Sequence, residues 1–256
     1  MSGKTAVVYT CSHSDPKVSN VRAEWMGALI YDIRPDYVVD LGDSADMRSL
    51  NSYDTRRPEK IVAQNYGADI RTHLDFQEKI RWKFKKNRKK RPAFFGFEGN
   101  HEQRISKAVA DDPRLNDDEY GISVSHLQTN HFFDEYHPYE YGAPAIHNYD
   151  GVDYAHYIGS GNFGRAISGE HHAYNLLKKR MTSVTVGHSH KRNIYFRDDA
   201  KAIGLVAGCT KGAPEDWAGQ ANKEWWSGVI IKRGVDNGLY EPEFVSMKRL
   251  EEVYGS

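Results

Sequence analysis

The chain has 256 residues, in which 35 Lys and Arg balance 35 Asp and Glu, so no whole-molecule field steers it toward a polyanion and any such attraction has to be local. Its length suits one large sheet-based domain, and no Pro/Ser/Gly-rich linker or internal repeat divides it. Two cysteines, Cys11 and Cys209, are too few for a disulfide scaffold, and the N-terminus has too short an apolar run for a signal peptide or membrane span. A cytoplasmic protein without membrane contact is expected.

In chain order, Ala6-Val7-Val8-Tyr9 reads as a buried strand leading to Cys11 and His13. Val18, Val21, Trp25, Leu29 and Ile33 recur at helical spacing, with Pro16 before them and Pro35 after, and predict a helix from Val18 to Ile33. A second strand, Tyr37-Val38-Val39, leads to Asp43, and a third, Ala93 to Phe97, leads to Asn100 and His101. Ser183 to Val186 leads to His188. Asn148 to Gly151, Asp198-Asp199 and Asp236 to Gly238 carry hairpin-turn residues between apolar or β-branched runs. Early strand–helix–strand units and late hairpins imply an α/β sandwich flanked by helices.

Segment 47–92 departs from this pattern and reads as an insertion. It opens as a polar loop, continues into a helix carrying Ile70, Leu74, Ile80 and Phe84, and ends with eight cations in the eleven residues 81–91. A solvated helix end accounts for those cations. The functional alternative is an arm on a phosphate backbone, with Trp82 and Phe84 beside bases and Arg48, Lys85, Lys86, Lys89 and Lys90 as substrate-binding cations. The acidic stretch 111–119 lacks the alternation of a calcium loop and reads as solvated. Trp217, Trp225 and Trp226 lie in a loop that either packs on the sandwich or borders the site.

Four segments then stand in order: Gly42-Asp43-Ser44-Ala45-Asp46, Gly99-Asn100-His101-Glu102, the lone His156, and Gly187-His188-Ser189-His190. Each alone is weak; His156 by itself would be an ordinary strand histidine. Together they offer a carboxylate able to bridge two ions, neutral ligands to complete each ion, and a spare acid/base group. The ordered set, covering residues 6 to 190, resembles the calcineurin-like metallophosphoesterase superfamily, whose pattern runs DxH, GDxxD, GNH[D/E], His, GHxH. The resemblance implies a four-layer sandwich of two mixed sheets between helices and a site for two divalent ions, zinc, iron or manganese. It makes Asp43 the bridging ligand, His13 and His190 ligands of the first metal, and Asn100, His156 and His188 ligands of the second. Asp46 becomes an orienting acid, His101 the proton donor to the leaving oxygen, and Glu102 the group that holds the tautomer of His101. The implied reaction is hydrolysis of a phosphate ester by metal-activated water.

The sequence departs from the family pattern at its first position, where Cys11-Ser12-His13 replaces Asp-x-His. As a thiolate, Cys11 keeps the charge of the missing carboxylate and shifts preference toward zinc or iron. Alternatively it packs as a small hydrophobe, or Asp15 replaces the lost carboxylate. Cys209 reads as structural, as do His73, His126, His131, His137, His147, His171 and His172, with an approach of His171 and His172 to substrate as the alternative. The basic arm favours diesters of nucleic acid or nucleotides. A protein or small-molecule phosphomonoesterase is the enzymatic alternative, and a non-catalytic binding scaffold the alternative of another class, against which the retention of His101 argues.

Overall fold

The structure is a computed structural model that describes residues 3–51, 65–85, 91–162 and 164–255. In one sheet, β1 (Lys4–Tyr9), β2 (Tyr37–Asp40), β3 (Ala93–Phe97) and β4 (Glu135–His137) lie parallel in that order. The other sheet contains β5 (His147–Tyr149), β6 (Val152–Ala155), β9 (Ser183–Val186), β10 (Arg192–Arg197) and β11 (Ala202–Ala207) in the order β10-β11-β9-β6-β5, with β6, β9 and β11 parallel. A hairpin of β12 (Gly228–Asp236) and β13 (Leu239–Ser246) joins the first sheet antiparallel to β1, and β7 (Gly159–Ser160) pairs with β8 (Arg165–Ala166) apart from both. Asn237 and Gly238 turn the β12–β13 hairpin with φ of 46° and 87°, the left-handed pair that matches strand twist.

Strands covered on both faces read as continuous apolar runs, and β1 is the case in point: Ala6, Val7, Val8 and Tyr9 are all fully buried. Alternation divides them between two cores. Val7 and Tyr9 face α1 (Val21–Ile33), α2 (Tyr66–Arg81) and, near the C-terminus, α6 (Met247–Tyr254). Ala6 and Val8 face the second sheet, meeting Val152, Tyr154 and Leu205. The outer face of that sheet is covered by Ala173, Leu176 and Leu177 of α5 (His172–Arg180). The order helix, sheet, sheet, helix is the expected four-layer α/β sandwich. Among the described residues no helix is long and apolar enough to cross a membrane.

Two expectations need correction. The first helix starts at Val21 instead of Val18, because Asp15 receives the backbone N–H groups of Lys17 and Val18 and holds residues 15–18 in a turn. Segment 47–92 also contributes more than an insertion: α2 lies against α1, with Phe76 and Ile80 fully buried in the main core. Such side chains contribute roughly 1.5–3 kcal/mol each relative to exposure. Ile80 is among the apolar residues read on this helix from sequence, and Phe76 is the addition.

Candidate metal centre

All the motif residues lie past the carboxyl ends of strands, three from the first sheet and two from the second. β1 leads to Cys11 and His13, β2 to Asp43, β3 to Asn100 and His101, β6 to His156, and β9 to His188 and His190. Parallel pairing of β1 with β2 and β3, and of β6 with β9, brings these ends to one edge of the sandwich. The loops that carry the side chains are strained. Cys11, His13, Asp43, His188 and His190 have φ of 49°, 42°, 55°, 65° and 61°, a region that costs a non-glycine residue roughly 1 kcal/mol or more and that gathers at functional sites.

Neighbouring bonds impose this shape. Cys11 N donates to Gly42 O (2.9 Å), His13 N to Asp43 O (2.9 Å) and Ser14 N to Ser44 O (2.8 Å), lacing the first two loops together. Arg22, buried on α1, donates to Ser12 O (2.8 Å) and Thr210 O (2.9 Å). Gly99 comes so close to the second loop that a Cβ on it would stand 2.2 Å from Asp43 Oδ1. Glu102 receives the N–H groups of Asp43 (2.9 Å), Ala45 (2.8 Å) and Gly99 (3.0 Å). The role expected for Glu102, holding the tautomer of His101, is therefore corrected: its carboxylate is spent on three backbone amides. Burial, reinforced by Asp43, pushes its pKa up to about 8.

Around Asp43 the ligand atoms converge. Asp43 Oδ2 lies 3.8 Å from His13 Nε2 on one side and 3.2 Å from His156 Nε2 on the other. His13 Nε2 and His190 Nε2 are 3.1 Å apart, and His156 Nε2 is 3.0 Å from Asn100 Oδ1 and 3.1 Å from His188 Nδ1. Four ligands placed about 2.0–2.1 Å from zinc in a tetrahedron stand roughly 3.3 Å from each other, so these spacings fit two ions that share Asp43. The outer ring nitrogens strengthen the fit. His13 Nδ1 is 2.9 Å from Asp46 Oδ1 and His156 Nδ1 is 2.8 Å from Leu41 O, acceptors that fix the proton on Nδ1 and leave each Nε2 lone pair aimed at a carboxylate oxygen. Lone pairs so aimed call for a cation between them.

The electrostatics agree for three of the four histidines; at His156 burial is outweighed by Asp43, which raises the pKa. Burial, then Lys211 and His101, lower the pKa of His13 to about 3; burial and His156 lower that of His188 to about 4; burial and His13 lower that of His190 to about 2. Neutral imidazoles are the ligating form. Burial opposes ionisation of Asp43, but His156, His101 and His13 outweigh it and hold its carboxyl well below the usual range. Cys11 Sγ lies with His13 and His190 in one group of potential ligands and with Asp43 and His156 in another, ligand atoms within 4.8 Å of one another in each. It accepts the His188 N–H (3.2 Å), and burial and Asp43 raise its thiol pKa. Asp15 is no substitute, since its carboxylate faces Arg48 at 3.2 Å and Lys17 N.

Around the metal ligands, His101 Nδ1 is 2.7 Å from Asp46 O, and its ring stands edge-on to His13 at 4.4 Å. Asp46 Oδ1 is also 3.1 Å from that Nδ1, so one residue orients both His13 and His101. Arg48 is close by but engaged: it donates to Asp46 Oδ2 (2.7 Å) and Glu215 Oε2 (2.6 Å), which corrects its reading as a substrate-binding cation. Arg104 gave no sequence signal beyond standing three residues after His101 on α3 (Gln103–Asp111). Its Nη2 is 3.3 Å from His101 Nε2 and its Nη1 donates to Asp46 O (2.9 Å). Trp225 borders the centre, its ring edge-on to His190 at 4.4 Å, and Tyr157 flanks His188 at 4.9 Å. His172 stays behind the ligand loop, its Nδ1 3.4 Å from Ser189 Oγ, and Cys209 is buried.

The described ends of the basic segment are engaged in ion pairs. Lys85 pairs with Glu78 and Arg91 with Asp134 (2.5 Å), while Lys86, Lys89 and Lys90 fall outside the described residues. Phe84 is buried in the core and cannot meet a base; Trp82 is half-exposed, its Nε1 donating to Glu24 O (3.4 Å).

The folded chain has the four-layer arrangement expected from the resemblance, and the motif side chains from both sheets meet at one edge. No protein-family model matches the sequence, and no curated relative matches it. Among solved structures, a dimetal phosphatase from Danio rerio aligns over 96% of this chain and 97% of its own, with 10% identity and a TM-score of 0.46. A predicted phosphoesterase from Streptococcus pneumoniae aligns over 97% and 92%, at 11% identity and a TM-score of 0.42. Vps29 from Entamoeba histolytica, complexed with zinc, aligns over 95% and 99%, at 11% identity and a TM-score of 0.38. Likeness at this level describes shape, and the chemistry has to rest on the residues themselves.

Proposed function

We propose that this chain is a phosphoesterase dependent on two divalent metal ions. The observation that supports the reading most is Asp43, one carboxylate oxygen facing an imidazole nitrogen on each side. His13, His190, Asp43 and the thiolate of Cys11 would hold one ion, and Asp43, Asn100, His156 and His188 the other. Bound there, the ions would supply Lewis acidity and activate water. Sulfur at position 11 favours zinc or iron at the first position.

The remaining residues act on the substrate around that centre. His101, tethered through Nδ1 to Asp46 O, turns Nε2 toward the opening, where it can pass a proton to a leaving oxygen. Arg104 donates to that nitrogen in the structure, so Nε2 carries no proton there; an incoming phosphoryl oxygen that draws the guanidinium away by a stronger, charge-assisted bond frees Nε2 to take a proton from solvent, and the imidazolium, its Nδ1–H still on Asp46 O, then passes that proton to the leaving oxygen. Asp46 holds His13 and His101 in register, and the rings of Trp225 and Tyr157 wall the mouth. Phosphate esters as a class are the substrate on this reading. The diester preference rests on the charge of segment 81–91 alone. The test is a parallel assay of metal-loaded protein on an aryl phosphate monoester, an aryl phosphodiester and single-stranded RNA and DNA; turnover of at least one, lost on chelation, is expected. No turnover of any by a protein holding both ions would favour the binding-scaffold alternative.

A further inference from the structure

A second group of ligands lies on the opposite margin of the two sheets. β4 ends the first sheet and β5 ends the second, and the period of two along a strand sets Glu135 with His137 on one face of β4 and His147 with Tyr149 on one face of β5. These faces meet. The His137 and His147 rings stack at 4.3 Å with 18° between their planes. Tyr149 donates its hydroxyl to Glu135 Oε2 (2.8 Å) and lies 2.6 Å from His137 Nε2. Tyr149 is itself anchored by stacking on Phe95 at 4.0 Å. One potential ligand atom from each of Glu135, His137 and His147 lies within 4.8 Å of the others.

The geometry points to a further zinc site formed by Glu135, His137 and His147, separate from the centre at Asp43. Two imidazoles and one carboxylate are a sufficient protein donor set for zinc, with the fourth position left to water or to the Tyr149 hydroxyl. Zinc needs its donors roughly 3.3 Å apart and these stand within 4.8 Å, so the side chains close in by up to about 1.5 Å, and His147 turns out of its stack so that its lone pair converges with that of His137 on one ion. His147 and Glu135 are exposed and have room to do so, while His137 is held by the Tyr149 hydroxyl. Because its ligands come from the terminal strand of each sheet, the ion ties the two open edges together where no backbone hydrogen bonds are recorded between them. A proton shared within the Glu135–Tyr149–His137 chain would account for the hydrogen bonds, but it gives His147 no role.

The test is a difference measurement. The full-length chain and its His137→Ala/His147→Ala variant are dialysed against the same zinc buffer and the metal bound per chain is counted by mass spectrometry. Ions held at Asp43 are common to both proteins, so the difference reads the second site alone, whatever the activity of the first. One equivalent fewer in the double variant is expected. Glu135→Gln, on an exposed side chain, should keep the circular dichroism of the parent and weaken the same equivalent on the order of tenfold or more. Cobalt substitution should give wild-type protein an absorption band that the double variant lacks. Equal metal content in all three proteins would overturn the assignment.

Discussion

Lys232 lies between the two sheets, fully buried, and among the described residues no carboxylate pairs with it. Its Nζ donates to Thr185 Oγ1 (2.6 Å) and Tyr154 Oη (3.1 Å), residues on the strands that lead to His188 and His156, and stands 4.3 Å from the ring centres of Tyr154 and Tyr240. Burial drives its pKa well below the ordinary lysine value. The sign follows from which state holds the proton. Between the depressed folded pKa and the unfolded value of about 10.4, the unfolded chain binds a proton that the folded chain lacks, so stability rises with pH by about 1.4 kcal/mol per unit. Above that window both forms are neutral and the penalty is gone. Lys232→Met fills nearly the same volume without the amine but strands two hydroxyls, a cost of roughly 1–3 kcal/mol each where no other partner takes over. Urea denaturation of the two proteins at pH 8.5, 9.5 and 10.5 checks this. The stability of Lys232→Met relative to wild type should fall over this series by about 1.4 kcal/mol per pH unit, with a smaller fall as the pH reaches about 10.4. A difference that stays constant over the series would show that Lys232 folds with its proton on, held by the two tyrosine rings, and would refute the reasoning.

His101→Gln should reduce turnover of an aryl phosphate ester by about 10²- to 10⁴-fold with metal content intact; loss of metal on that substitution would make His101 a ligand. Gly99→Ala brings a Cβ to 2.2 Å from Asp43 Oδ1 and 2.3 Å from Asp43 N, and since a backbone atom cannot step aside the variant should lose bound metal and melt earlier, as metal counts and calorimetry will read; wild-type metal content would contradict the close approach. Cys11→Asp should shift the metal giving highest activity toward manganese, and Cys11→Ala should weaken retention of one ion. If Cys11 only packs, the alanine variant keeps both content and preference, and X-ray absorption finds no metal–sulfur distance near about 2.3 Å.

Much of the fold was legible because its central strands are continuous apolar runs and its hairpins carry left-handed turn residues; β1, β2, β3 and β9 all occur where those patterns place them. The gathering of the candidate ligands was legible for a related reason: each follows a strand, and parallel pairing of strands brings their ends to one edge. Long-range hydrogen bonding left less trace. Nothing near Glu102 in sequence shows that its carboxylate will receive amides from residues 43 and 45, and nothing near Arg48 shows that Glu215 will occupy it. The pairing of His137 with His147 depends on which strands end the two sheets, a matter of topology that local periodicity does not encode. The burial of Phe84 was hidden by the cations around it in sequence, while the ring itself joins the core.

The most direct test of the two-metal account is to replace Asp43. Metal per chain and chelator-sensitive hydrolysis of an aryl phosphate ester are measured on wild type and Asp43→Asn under the same loading. Removing the one carboxylate shared by both ligand groups should cost at least one equivalent of metal and abolish hydrolysis. Retention of every equivalent together with wild-type turnover would contradict it.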